Sequence, residues 1–254
     1  MTGSNIGFIR NKNGDHLAYD YAGGAEPLCI FLSGFGSDMS GTKAQFLKEQ
    51  CRASGQAYLL LDYSGHGQSG GDFLHGSIAS WCMDALTVID HVAKQHEAGL
   101  VIGSSMGGWI AVHIALSRPD FIKGLVGIAS APDFTRDILS QMNEAQIGAI
   151  ESQGVFYEPS QYGGPVAISS ALLKDSEAMC LLDGDIGLTI PVTLMHGQRD
   201  QDVPWQKSVL LAGRLKQADV SLEFVPDGDH RLSRDEDLAL LWRMVLAMMQ
   251  KMVY

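Results

Sequence analysis

A serine flanked by glycines is the feature of this sequence with the most direct chemical content. Gly103-Ser104-Ser105-Met106-Gly107 lies between the apolar run Leu100-Val101-Ile102 and a second run that begins at Trp109. The layout predicts a buried strand turning sharply into a helix, with Ser105 held out at the turn. The two glycines leave room for backbone to pass where a Cβ would collide. A hydroxyl so placed can attack a carbonyl carbon once a neighbouring base removes its proton. The plainer role for Ser105 is that of a helix N-cap. A second match to the pattern, Gly67-Gln68-Ser69-Gly70-Gly71, runs on into Asp72-Phe73-Leu74-His75-Gly76. That is loop composition, so Ser69 is set aside.

In sites of this kind the partners follow the serine in the order acid, then histidine. Of eight histidines, only His113, His196 and His230 follow Ser105. His113 sits in an apolar helical run, and His196 precedes Asp200, the leading acid candidate. His230, in Asp227-Gly228-Asp229-His230-Arg231, remains as the base. Asp200, directly after the apolar stretch at 192–195, is the first choice for the acid that orients the imidazole. Two rivals stay open: Asp202, more naturally a capping or turn residue ahead of Val203-Pro204, and Asp133, just past another apolar run. Two backbone N–H groups must face the developing negative charge. Met106 supplies one, and the loop Ser33-Gly34-Phe35-Gly36-Ser37 supplies the other, with Phe35 as the donor.

These groups are far apart in the chain, so the fold must bring them together. Residues 6–10 and 16–21 read as an antiparallel hairpin across Asn11-Lys12-Asn13-Gly14-Asp15. Short, nearly continuous apolar runs follow at 28–32, 57–61, 100–102, 124–129 and 192–195, and residues 221–225 are strand-like. Such runs suit parallel strands covered on both faces. Ile78, Cys82, Ala85, Leu86, Ile89, Val92 and Ala93 recur at helical spacing, as do Leu238, Leu241, Val245, Met248 and Met252. The alternation predicts an α/β chain with a mostly parallel, doubly wound sheet and an antiparallel hairpin at one edge.

About sixty residues separate the runs at 124–129 and 192–195, against about 2–6 for an ordinary connection. They read as a helix over 135–153, an aromatic and Gly/Pro-rich piece over 155–165, and a second helix near 168–180. We expect an inserted cap at 133–188 over a core made of 1–132 and 189–254. Val155, Phe156, Tyr157, Tyr162, Leu172 and Leu173 are candidate walls for an apolar substrate group; Phe156, Tyr157 and Tyr162 are the substrate-binding choices.

Composition narrows the function classes. With 254 residues, 46% hydrophobic and 19% charged, the chain can bury a large core and is not of the disordered class. The net charge of −11, with no basic stripe, argues against a nucleic-acid partner. No apolar run approaches the roughly 20 residues needed to span a bilayer. The N-terminal residues lack the layout of a secretory signal. Four widely spaced cysteines without a CxxC pair fit a reduced compartment. A cytoplasmic location is therefore expected.

Taken together, the 33–37 loop, Asp62-Tyr63-Ser64-Gly65-His66-Gly67-Gln68-Ser69, the Ser105 turn with Gly108-Trp109, His196-Gly197-Gln198-Arg199-Asp200 and Gly228-Asp229-His230-Arg231 resemble the α/β-hydrolase superfamily. Ser40-Gly41-Thr42-Lys43-Ala44 and Val203-Pro204-Trp205 narrow the likeness to its branch of mitochondrial acyl-glucuronide esterases and palmitoyl-protein thioesterases. The likeness runs from about residue 30 to 251 and is weakest over 134–188. It implies the α/β-hydrolase fold, Ser105 as nucleophile, Asp200 as acid and His230 as base. The chain shows no targeting presequence, so the branch's mitochondrial location is not carried over. The resulting expectation is a serine hydrolase of carboxylic esters or thioesters with a small-molecule or acylated substrate. It uses no metal or organic cofactor, and its oligomeric state is unknown. Amide, lactone or carbon–carbon cleavage by the same three residues is an alternative, as is a non-catalytic ligand-binding protein on the same scaffold.

Overall fold

The structure, a computed structural model, describes residues 6–159 and 164–252. The chain opens with strands β1 (Ile6–Arg10), β2 (His16–Ala22) and β3 (Ala25–Leu32), then helix α1 (Thr42–Ser54) and β4 (Gln56–Leu61). Helix α2 (Ile78–Val92), β5 (Gly99–Ser104), α3 (Met106–Ser117) and β6 (Ile122–Ile128) follow. Helices α4 (Phe134–Gln141) and α5 (Glu144–Gln153), the small strands β7 (Val155–Glu158) and β8 (Val166–Ser169), and α6 (Ser170–Asp175) come next. The chain returns through β9 (Val192–Gly197), α7 (Gln206–Arg214), β10 (Val220–Val225) and α8 (Asp235–Lys251).

Eight strands form one sheet in the order β1-β2-β4-β3-β5-β6-β9-β10. β1 pairs antiparallel with β2, and β2 antiparallel with β4; every later neighbour is parallel. Side chains alternate across such a sheet. Leu28, Ile30, Leu32, Leu59, Leu61 and Val101 join the core cluster that contains α2, α3 and Leu211 of α7. Cys29, Phe31, Leu60, Leu100 and Ile102 face the other layer, with residues of α1 and α8. Helices thus cover both faces, which is why β5 can be buried along all six of its residues.

Helix α3 is apolar nearly all round because it is enclosed nearly all round. Nine of its twelve residues are buried. The Trp109 indole N–H and His113 Nε2 both point at the Met179 carbonyl, at 2.9 and 2.8 Å, so the segment after α6 lies across this helix. A carbonyl only accepts, so His113 donates from Nε2, and burial pushes its pKa down.

The segment between β6 and β9 differs from the sequence reading in detail. The helix expected over 135–153 is two helices, because Asn143 and Gln146 form a reciprocal capping box that starts α5 afresh. The aromatic piece expected over 155–165 contains strand β7, which pairs antiparallel with β8. The second helix is short, running only over α6. Phe156, Ile168, Leu172, Leu173 and Leu182 belong to the same core cluster as the main sheet.

The four cysteines are free; Cys29, Cys51 and Cys82 are buried and Cys180 is partly exposed. Among the described residues no helix is long and apolar enough to cross a membrane.

Candidate active site

The site begins at the turn between β5 and α3. Ser105 sits there with φ 54° and ψ −118°, a conformation that side chains rarely adopt. Its N–H donates to the Ile128 carbonyl at 2.9 Å, and its own carbonyl accepts from Gly108 and Ala131 at 2.9 and 3.1 Å. Those bonds to two neighbouring segments hold the turn against its strain. The flanking glycines are sterically required. A Cβ at Gly103 would lie 2.2 Å from the Gly107 carbonyl oxygen, and one at Gly107 would lie 2.1 Å from that of Leu32.

Across from this turn, the loop after β10 carries His230 and the loop after β9 carries Asp200. His230 Nε2 lies 3.1 Å from Ser105 Oγ, and His230 Nδ1 lies 2.7 Å from Asp200 Oδ2. The side chain of Asp200 is fully enclosed, and that of His230 is 16% exposed. The structure therefore brings Ser105, His230 and Asp200 into one continuous hydrogen-bonded line.

Asp200 has further partners that sequence reasoning did not find. Its Oδ1 accepts from the Asp202 and Val203 N–H groups at 2.9 and 2.8 Å. Its Oδ2 also receives His196 Nε2 at 3.1 Å. His196 is completely buried; its Nε2 faces the Val203 carbonyl at 3.0 Å as well, and its Nδ1 faces the Ser208 hydroxyl at 2.7 Å. With two acceptors at Nε2, the proton must reside there, and Nδ1 accepts from Ser208. Burial alone would raise the Asp200 pKa. The bonds from His196 and His230, the His230 charge and the Val203 amide more than offset this and hold it well below the usual carboxylate range. An ionised Asp200 takes a proton-bearing Nδ1 from His230, which leaves the Nε2 lone pair facing the Ser105 hydroxyl.

The rivals for the acid occupy other places. Asp202 is exposed, and its N–H donates to Asp200, so the turn ahead of α7 is held by Asp200 itself. That helix starts at Gln206, two residues past Pro204. Asp133 is buried at the start of α4, where its two oxygens accept the Leu181 and Leu182 N–H groups at 2.8 and 2.9 Å. Asp200, Asp202 and His230 also form the one group, among the described residues, whose ligand-type atoms lie within 4.8 Å of one another. A metal there would compete with the four N–H groups already on Asp200.

The loop after β3 passes over Ser105. A Cβ at Gly34 would lie 3.3 Å from Ser105 Cβ, so Phe35 follows directly after the point of closest approach to Ser105. The Phe35 ring packs on Phe73, Trp81 and Phe134, with centroids 5.0, 5.7 and 5.8 Å away. Met106 is the first residue of α3, and N–H groups in a first helical turn lack partners within the helix. Of the substrate-wall candidates, Phe156 and Tyr157 are adjacent on β7 and point to opposite faces: Phe156 is buried and Tyr157 is 59% exposed. They do not form one wall. Leu172 and Leu173 are buried, Val155 is partly buried, and Tyr162 lies outside the described residues.

Comparison with known proteins places the chain in a family. The Hydrolase_4 family model, described as serine aminopeptidase, S33, matches residues 24–158. The chain belongs to this family of α/β-hydrolases. It is 37% identical over 243 residues to a mitochondrial palmitoyl-protein thioesterase, ABHD10, of Bos taurus, covering 94% of this chain and 78% of that one. Two solved structures superpose closely. A putative hydrolase from Agrobacterium vitis S4 gives a TM-score of 0.92 at 35% identity, covering 98% and 100% of the two chains. The mouse α/β-hydrolase domain-containing protein 10 gives 0.90 at 34%, covering 98% and 99%. As a member of a serine hydrolase family, this α/β-hydrolase is an enzyme, and the expected fold is the observed one. The expected cytoplasmic location is corrected by the same finding: the bovine relative is mitochondrial by name, which points away from the cytoplasm.

Proposed function

We propose that the protein hydrolyses carboxylic esters and thioesters through an acyl-enzyme on Ser105. The observation that carries this reading is the line Ser105 Oγ, His230 Nε2, His230 Nδ1, Asp200 Oδ2, with contacts of 3.1 and 2.7 Å. Ser105 Oγ attacks the acyl carbonyl carbon while His230 Nε2 takes its proton. The resulting imidazolium is stabilised by the Asp200 carboxylate. The N–H groups of Phe35 and Met106 receive the oxyanion. His230 then protonates the leaving alcohol or thiol, and the tetrahedral adduct collapses to acyl-Ser105. Water, deprotonated by His230, releases the acid and restores the hydroxyl.

We place the substrate's acyl part under a cap formed by residues 133–188, against the partly exposed rings of Phe35, Phe73 and Phe134. The bovine relative's name, a palmitoyl-protein thioesterase, supports thioesters of long acyl chains within this class. Amides form a second reading, favoured by the family's description as a serine aminopeptidase.

A fluorophosphonate probe should label the wild type at Ser105 and leave Ser105→Ala unlabelled. Turnover of p-nitrophenyl esters, acyl thioesters and amides matched in chain length then ranks the three bonds. Labelling at another residue, or esterase activity surviving in Ser105→Ala, would overturn the proposal. Amide turnover exceeding that of esters and thioesters would favour the second reading.

A further inference from the structure

His66 stands outside the line just described, yet it touches the loop that faces Ser105. It is buried, 4% exposed, in the turn after β4, among the rings of Tyr63, Phe73 and Trp81. Its two nitrogens meet backbone groups of opposite character. Nδ1 lies 3.1 Å from the Ser64 carbonyl, and Nε2 lies 3.2 Å from the Gly36 N–H. A carbonyl accepts and an N–H donates, so both bonds exist together only when Nδ1 carries the proton and Nε2 does not. Burial pushes the His66 pKa down, which favours that neutral form.

The Gly36 bond sets one side of the 33–37 loop. Gly36 has φ 67°, and Ser37 N–H closes a turn onto the Gly34 carbonyl at 3.1 Å. The same 62–68 turn holds the loop at two further points. The Asp62 carboxylate accepts the Met39 N–H at 2.8 Å, and the Tyr63 hydroxyl donates to the Ser33 carbonyl at 3.3 Å. Phe35, whose N–H we assign to the oxyanion, lies between these fixed points. We propose that His66 is a positioning residue: by accepting the Gly36 N–H it fixes the peptide that follows Phe35 and so aims the Phe35 N–H at the developing oxyanion. This rests on the hydrolase reading of Ser105, and it adds a residue to which that reading gave no role.

The neutral tautomer gives the device a direction in pH. Protonating Nε2 places a second N–H against that of Gly36, and the contact turns repulsive. The charged groups around the ring are Asp38, on the loop itself, and Asp84 of α2, both of which favour the protonated form. The Tyr63 phenol, packed edge-on, stays neutral because burial raises its pKa. The loop is therefore held at neutral pH and released only as pH falls through the lowered His66 value.

Two variants separate the contacts. In His66→Asn the side-chain N–H₂ can still reach the Ser64 carbonyl, but the side chain is too short to reach Gly36. In His66→Gln the amide oxygen reaches the Nε2 position. His66→Asn should lower kcat by about tenfold or more with KM changed less than about twofold, since the lost interaction acts in the transition state. A trifluoromethyl ketone, which forms a tetrahedral adduct, should weaken in parallel. His66→Gln should recover most of the rate. Wild-type kcat in a folded His66→Asn, or equal losses in the two variants, would overturn the proposal. If neither variant folds, ¹⁵N resonances of the wild type decide. Nε2 must be unprotonated at the pH of full activity and titrate together with the Gly36 amide, and a protonated Nε2 there overturns it. Fluorophosphonate labelling of Ser105 in the wild type keeps the tests apart: its failure faults the hydrolase reading, whereas a fast His66→Asn with labelled Ser105 faults only the role of His66.

Discussion

Replacing Asp200 by asparagine isolates what the carboxylate does, because the shape is kept and only the hydrogen-bonding sense of one atom changes. In the wild type all four partners of Asp200 are N–H donors: Asp202 and Val203 on Oδ1, His230 and His196 on Oδ2. An asparagine oxygen can serve only one of these pairs. Left on the two backbone amides, it turns its N–H₂ toward the two imidazoles. His196 is fixed as a donor by the Val203 carbonyl, so only His230 can adapt. Its Nδ1 becomes an acceptor, and its proton moves to Nε2, where it faces Ser105 Oγ and blocks proton removal. The expected loss in kcat is about 10⁴, by analogy with the wrong-tautomer effect in other triads. That corresponds to roughly 5–6 kcal/mol of barrier. The unsatisfied N–H against His196 should cost about 1–3 kcal/mol of stability. Steady-state hydrolysis of a p-nitrophenyl ester and thermal unfolding measure the two separately. The stability gap has a pH signature as well. The folded pKa of Asp200 is depressed, so its contribution is present above the unfolded value of about 3.9 and is lost as pH falls below it. The gap between wild type and Asp200→Asn should hold steady from about pH 5 to 8 and narrow only in stronger acid. Asp202→Asn should be mild by comparison. An Asp200→Asn enzyme within tenfold of wild type, or a larger loss from Asp202→Asn, would refute this reasoning.

Two further outcomes follow from the same geometry. Ser105→Gly should abolish turnover and yet raise the melting temperature. Relief of the positive φ, about 1–3 kcal/mol, exceeds the roughly 0.5–1 kcal/mol of added chain entropy; an unchanged or lower melting temperature would mean that the turn is not strained. Asp133→Ala should cost about 1–3 kcal/mol, because it strands the Leu181 and Leu182 N–H groups. Denaturant unfolding and protease cleavage within 177–183 would show it, and wild-type resistance in both would refute it.

The parts of this molecule that could be read from the sequence are those where physics restricts residue type. β3, β5 and β6 show as apolar runs because both faces of the sheet are covered, and the Ser105 turn shows because Gly103 and Gly107 have no space for a side chain. Helix α1 escaped notice because its buried stripe of Ala44, Leu47 and Cys51 includes Lys48, which only the 2.6 Å pair with Asp20 makes compatible with burial. The restart at Asn143 left a readable signal in the Asn143–Gln146 spacing, but the apolar residues on either side blurred it into one helix. His66 was hidden for a different reason. It meets the Ser64 carbonyl and the Gly36 amide, and backbone at almost any residue can offer those groups. A sequence records a partner when the partner must be a particular side chain, as with Ser105, His230 and Asp200. It leaves no trace of one when the partner is backbone, as with the Ser64 carbonyl and the Gly36 amide that His66 meets.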